Sequence, residues 1–152
     1  MSEELQPLRE ILVPMDFSES AINALQFAKR IIAPCNARLH LLCVDDDPIL
    51  MQHTTDQSFR DEHEDKLAMK FVPLLTAEER QQFTTVMSIR FGTAYHEIEV
   101  YAKEHNIDLI VMGNLGRSAI AEALLGSVAH HVIRNSVCPV LSVKLPELGS
   151  TS

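Results

Sequence analysis

The chain has 152 residues, with 13 basic and 21 acidic side chains, a net charge of −8 and 46% apolar residues of which few are aromatic. A chain of this length buries about 70% of its unfolded surface and needs no disulfide staple. Its acidic balance argues against a nucleic-acid or anionic-membrane surface, since both require a basic face, so a polyanionic ligand would have to be caught locally, by dipoles and backbone amides.

Residues Met1–Pro7 are acidic and contain no hydrophobic signal-like run. No apolar run approaches the roughly 20 residues that span a bilayer. Cys35, Cys43 and Cys138 form no C-x-x-C pair, so neither a disulfide framework nor a zinc knuckle is expected. The consistent setting is a reducing cytoplasm. The expected organisation is one domain over residues 1–152, with an ordered core from about residue 9 to residue 145.

Glu10–Pro14 reads as a short buried strand, and Pro14 suits its end. Ser18 is a good N-cap for a helix carrying Ala21, Ile22, Ala24, Leu25, Ala28 and Ile32 inward, stopped near Pro34 and Asn36. Ala37–Val44 is a second apolar strand, and Asp45-Asp46-Asp47-Pro48 a turn. Residues 48–58 form a long connection. A helical pattern covers Gln57–Gln82, solvated at first, then presenting Leu67, Phe71, Leu74 and Leu75. Pro73 should divide it, and Thr76 with Glu79 should restart it as a capping box. Phe83–Phe91 is a third strand, ended by Gly92. Thr93 caps a helix with Ala94, Ile98, Tyr101 and Ala102 inward. Asp108–Met112 is a fourth strand, residues 118–125 a short helical turn, and Ser127–Asn135 a helix burying Val128, Val132 and Ile133. Val137–Val143 is a fifth strand, followed by a loose tail. Apolar, non-alternating strands separated by helices imply an α/β fold with a parallel sheet covered on both faces.

In open parallel sheets a ligand sits beyond the carboxyl ends of the strands. Three stretches end strands there: Met15-Asp16-Phe17, Val44-Asp45 and Gly113-Asn114-Leu115-Gly116. The last leads through Arg117 and Ser118 to Gly126-Ser127-Val128, where a helix would aim free N–H groups at the same space. On this reading Gly113, Gly116 and the amides near Gly126 and Ser127 hold phosphates. Ser118 and Ser127 donate hydroxyls and Arg117 adds a charged fork. Asp16 accepts from a ribose hydroxyl or holds a cation bridged to phosphate, and the backbone at Val44 pairs with an adenine edge. The alternative is structural: Gly113 and Gly116 permit a tight turn, and Ser127 caps a helix. The first strand is followed by no G-x-G-x-x-G, and the chain has neither G-x-x-x-x-G-K-[ST] nor G-x-S-x-G, which sets aside a dinucleotide fingerprint, a Walker lysine and a serine-hydrolase elbow.

Ile11-Leu-Val-Pro-Met-Asp-Phe-Ser-Glu-Ser20, Asp108-Leu-Ile-Val-Met-Gly-Asn-Leu-Gly-Arg-Ser118, Leu124-Leu-Gly-Ser-Val-Ala129 and Cys138-Pro-Val-Leu141 together resemble the universal stress protein family over nearly the whole chain. The resemblance implies strand order 3-2-1-4-5 in an adenine nucleotide alpha hydrolase-like fold. It also implies the family's ATP-binding branch, which uses G-x2-G-x9-G-[ST], here Gly113, Gly116, Gly126 and Ser127. The full candidate binding set is Pro14, Met15, Asp16, Val44, Met112, Gly113, Asn114, Gly116, Arg117, Ser118, Gly126, Ser127 and Val128. The ligand it implies is ATP, or ADP or AMP, with Mg²⁺ or Mn²⁺ on the phosphates and Asp16 as the protein's metal contact. Leu115 and Ala119 depart from the family, where a polar residue and a glycine are frequent. The resemblance further implies a homodimer paired through the fifth strand, Val137–Val143.

Other residues are assigned plainer parts. His130 and His131 are adjacent and point about 100° apart on a helix. His53 and His63 flank a solvated acidic stretch, and His40, His96 and His105 read as surface or boundary residues. No dedicated protein-only metal site and no residue set for efficient catalysis are expected. The function read from the chain is an ATP-binding stress-response or signalling module, with a weak ATP hydrolase and a non-nucleotide-binding interaction protein as alternatives.

Overall fold

The computed structural model describes residues 5–47, 56–115 and 125–146. Residues 118–124 of the expected helical turn, Ser118 and Ala119 included, residues 48–55 of the expected connection, and Gly116 and Arg117 lie outside them. The elements are β1 (Glu10–Pro14), α1 (Glu19–Cys35), β2 (Arg38–Asp45), α2 (Gln57–Phe71), a 3₁₀ turn (Val72–Leu74), α3 (Ala77–Gln82), β3 (Thr85–Phe91), α4 (Ala94–Glu104), β4 (Leu109–Gly113), α5 (Ser127–Asn135) and β5 (Val140–Val143). The five strands form one parallel sheet in the order β3-β2-β1-β4-β5.

Strand alternation divides the core into two layers. Ile11, Val13, Leu39, Leu41 and Val111 face Leu25, Ala28 and Ile32 of α1 and Phe71 of α2. Leu12, Leu42, Ile110 and Met112 face Ile98 and Tyr101 of α4 and Ala129 and Val132 of α5. The punctuation follows local chemistry. Ser18 accepts the Ala21 N–H at 3.1 Å as the α1 N-cap. Pro73 lies in the 3₁₀ turn that divides α2 from α3, and Thr76 and Glu79 exchange both capping-box bonds at 3.1 Å. Gly92 ends β3 with φ +149°, a conformation that L side chains rarely adopt.

Four expectations need correction. Ile22 and Ile133 are exposed rather than inward; at the start of α1 the buried position belongs to Ser20, which is 2% exposed. β5 begins at Val140, three residues late, because the Cys138 N–H is taken by the Ser136 hydroxyl at 3.2 Å and Pro139 has no N–H to give; Val137 is exposed. His63 is not simply solvated, since its Nε2 meets Asp45 Oδ2 at 2.5 Å. His40 is buried, 2% exposed, beneath α4.

His40 Nε2 lies 2.6 Å from Glu10 Oε2, and Nδ1 lies 2.8 Å from the Tyr101 hydroxyl. A carboxylate only accepts, so the neutral ring carries its proton on Nε2 and accepts from Tyr101 at Nδ1. Burial holds the His40 pKa below its ordinary 6.5, more strongly than the Glu10 carboxylate raises it, with His105 and Arg38 adding to the lowering.

Gly113, the last residue of β4, has a different constraint. A Cβ there would sit 2.2 Å from Ser20 Oγ and 2.8 Å from the Ser20 carbonyl carbon and oxygen. The start of α1 rests directly on the β4 backbone, so glycine is needed for close approach and not for a turn.

Two outcomes follow. Gly113→Ala should lose about 1–3 kcal/mol or more in urea denaturation, and adding Ser20→Gly should not restore it, because the obstructing carbonyl is main chain. For His40, a neutral native ring contributes stability that is full above pH 6.5 and is lost as pH falls toward its lowered native value. Denaturation at pH 7.5 and pH 5.5 should therefore show a smaller acid loss in His40→Gln than in the parent chain.

Candidate functional site

The carboxyl ends of β1 and β4 are neighbours in the sheet, and the chain leaves them in different ways. After β1, Met15 donates its N–H to Leu42 O at 2.8 Å, and its side chain enters the core. Only the backbone of Met15 is left to meet a ligand. Asp16 is half-buried, and its Oδ1 accepts the Ser18 N–H at 2.9 Å. Phe17 between them adopts φ +62°, an uncommon conformation for a non-glycine residue and a cost that the surroundings must offset. Its ring is held edge-on against Phe71 of α2 at 5.3 Å, with Lys70 Nζ 5.6 Å from its centre. The turn that presents Asp16 is thus fixed from both sides.

At β2, the ladder to β1 stops at the Pro14–Leu42 pair. Main-chain groups of a strand alternate in direction, so those of Val44 point the same way as those of Leu42. They face the side from which β1 has turned away. On its other side β2 continues paired, Val44 with Arg90 and Asp45 with Phe91. The Gly92 N–H closes that side onto Asp45 O at 3.0 Å, and the Asp47 N–H onto Asp45 Oδ1 at 3.0 Å. His63 of α2 then covers Asp45, with Arg60 5.4 Å over the Phe91 ring. The acidic run after β2 is a turn pinned by its own carboxylate and by α2.

At β4, the Asn114 N–H donates to Val143 O at 3.2 Å, and Asn114 O accepts the Gly126 N–H at 2.6 Å. Asn114 is 8% exposed, and its Oδ1 is 3.5 Å from Ser20 Oγ. The Leu115 N–H donates to the same Ser20 oxygen at 3.3 Å. The amides of 114, 115 and 126 are therefore already bonded within the protein. α5 begins differently. Gly126 is its N-cap, and no side chain caps it. Ser127 is the first helical residue, not the cap. The N–H groups of Ser127, Val128 and Ala129 have no intrahelical acceptor and none among the described residues, and they lie at the positive end of the helix dipole. Met112 and Ala129 are buried in the core, and Val128 packs against it, which seats this helix end on β4.

The structure ties Asn114 to Gly126 by a hydrogen bond, which brings Gly113 and Ser127, their chain neighbours, together at the end of β4, the strand next to β1. Asp16 and Val44 stand at the ends of the next two strands. Ser20 and Phe17 were missed by sequence reasoning. A serine two positions after an N-cap reads as a solvated helix start, and a phenylalanine carries no mark of a positive φ. Among the described residues no three His, Cys, Asp or Glu side chains gather as metal ligands. A divalent ion at Asp16 would take its other ligands from phosphate and water. Nor is any described helix long and apolar enough to cross a membrane.

Residues 7–144 match the profile of the Universal stress protein family. Universal stress protein MJ0531 of Methanocaldococcus jannaschii is 31% identical over 144 residues, covering 91% of this chain and 84% of the relative. The solved structure of protein MJ0577, a universal stress protein of the same organism, superposes with a TM-score of 0.76 at 31% identity, covering 93% of this chain and 99% of the other. A universal stress protein solved in complex with cAMP superposes with a TM-score of 0.61 at 27% identity, covering 91% and 98%. The sheet order, the strand ends and these likenesses agree, and the chain belongs to the universal stress protein family.

Proposed function

We propose that this protein is an adenine-nucleotide-binding module, with ATP and Mg²⁺ or Mn²⁺ as its ligand and a cytoplasmic stress response as its setting. The observation that carries it is the N-terminus of α5, which no side chain among the described residues caps and which Asn114 ties to the end of β4, the strand next to the one that ends at Asp16. An anion is the natural partner for three open amides at a helix start. Asp16 places a carboxylate at the end of β1, a group suited to a ribose hydroxyl or to a cation riding on phosphate. The main-chain groups of Val44, on the side β1 has left, suit an adenine edge. The cAMP complex of a 27% identical relative supports the same ligand class. Gly116, Arg117 and Ser118 complete the proposed cradle by their place in the motif, and Pro14, Met15 and Val128 contribute backbone alone. Met112 and Gly113 act by packing rather than by contact.

The proposed assembly is a homodimer through β5, an edge strand of half-buried residues. Pro139 O accepts from Ile110 and Val143 O from Asn114, so Val140 and Ser142 turn their main-chain groups outward. Such an edge is commonly met by a second copy.

Ser127→Pro tests the cradle at one atom. Proline fits the first helical position, and Gly126, at φ −70° and ψ 157°, has the backbone that a following proline requires. The change deletes one N–H. It should weaken ATP binding in calorimetry by about 10-fold or more, as expected for a hydrogen bond to a charged group, with little change in unfolding midpoint. Ser127→Ala, which keeps that N–H, should bind more tightly than Ser127→Pro. Wild-type protein that takes up no ATP with Mg²⁺, or a Ser127→Pro variant that binds like wild type, refutes the cradle. For the dimer, sedimentation at micromolar concentration should give twice the chain mass, and Ser142→Pro, which removes an outward N–H, should give the monomer.

A further inference from the structure

We infer that Ser20 is a positioning residue for the nucleotide site, acting with Asn114 as a buried polar latch that sets α5 relative to the Asp16 turn. The inference rests on the nucleotide-binding function proposed above. Three polar residues are buried among the described ones: Ser20, His40 and Asn114. His40 belongs to the base of α4, whereas Ser20 and Asn114 meet each other at the carboxyl edge of the sheet.

A buried hydroxyl is retained at low cost only when it is bonded, and Ser20 is bonded twice. Its oxygen accepts the Leu115 N–H at 3.3 Å, and its hydroxyl donates to Asn114 Oδ1 at 3.5 Å. Those two residues lead the chain out of β4. The main chain of Asn114 then holds Val143 at the end of β5 and Gly126 at the cap of α5. The same Ser20 lies in the first turn of α1, four residues after Asp16, and its carbonyl rests on Gly113. One side chain thus joins the strand end that carries the proposed ribose contact to the loop that aims the proposed phosphate donors. Ser20 reaches the ligand only through these neighbours. Removing its oxygen leaves the Leu115 N–H unbonded next to the core and frees the exit from β4 to shift. Asn114 is the second half of the latch, so the losses of the two residues should be less than additive, and losing Ser20 alone should cost nearly what losing both costs.

The test compares wild type with Ser20→Ala, Asn114→Ala and the double variant, by nucleotide calorimetry with Mg²⁺ and by amide hydrogen exchange without nucleotide. Ser20→Ala should speed exchange of the Leu115 and Gly126 amides at least 10-fold while the α4 amides stay unchanged. It should weaken ATP binding about 10-fold, and the double variant should be little worse than Ser20→Ala alone. Unchanged Leu115 and Gly126 exchange in Ser20→Ala overturns the latch, and so does unchanged affinity in that variant, or additive losses in the double. If wild type binds no nucleotide, the proposed function fails and with it the positioning role, whatever the exchange data show about the contact itself. If Ser20→Ala does not fold, Ser20→Cys replaces it: the longer, weaker sulfur acceptor should give the same selective exchange at Leu115, and normal exchange there overturns the latch.

Discussion

The structure depends on how closely α1 approaches the end of β4. Gly113 has no side chain, and Ser20 occupies the space one would fill. That contact brings the start of α1 against the sheet immediately after Asp16. It puts the exits from β1 and β4 side by side, with a buried hydroxyl between them. Everything proposed for the site builds on this closeness. A larger residue at 113 would push α1 off the sheet and separate the Asp16 turn from the loop that leads to α5.

Around that contact, polar groups are used with little redundancy. The amides of Asn114, Leu115 and Gly126 are consumed in holding the chain as it leaves β4 and enters α5, and the first amides of α5 have no partner among the described residues. The two sets differ in consequence. Bonded amides fix geometry, and unbonded ones at a helix start supply a positive end to an anion. An overall charge of −8 makes this local arrangement necessary, because a phosphate gains nothing from the long-range field. The opposite end of the sheet is held differently. Half-buried Glu10 and buried His40 and Tyr101 form a hydrogen-bonded chain across β1, β2 and α4, which ties stability to the protonation of one histidine.

Much of this was legible in the residues. Non-alternating apolar strands separated by helices were enough for the parallel sheet, and the Ser18, Thr76 and Pro73 signals marked true boundaries because caps and prolines act locally. Strand order came from resemblance, since periodicity carries no information about which strands pair. The misplaced residues were those decided by tertiary contact. His40 looked like a boundary residue because a polar side chain in a strand does not announce that a glutamate and a buried tyrosine will bond it. Ile22 lost its expected place to Ser20 because β4 needed a small polar neighbour there. Gly113 was read as a possible turn or phosphate glycine, and its demand is steric. The helix begins at Ser127 as the pattern indicated, and its cap is Gly126, which has no side chain to occupy the first amides of α5.

The central claim is that the α5 start receives phosphate while Val44 receives the base. The most direct measurement is an ATP and Mg²⁺ titration of isotope-labelled protein followed at each backbone amide. Saturable shifts that are largest at Ser127, Val128 and Ala129, accompanied by shifts at Asp16 and Val44, are the predicted result. Shifts that leave the α5 amides unmoved at saturating nucleotide would contradict it.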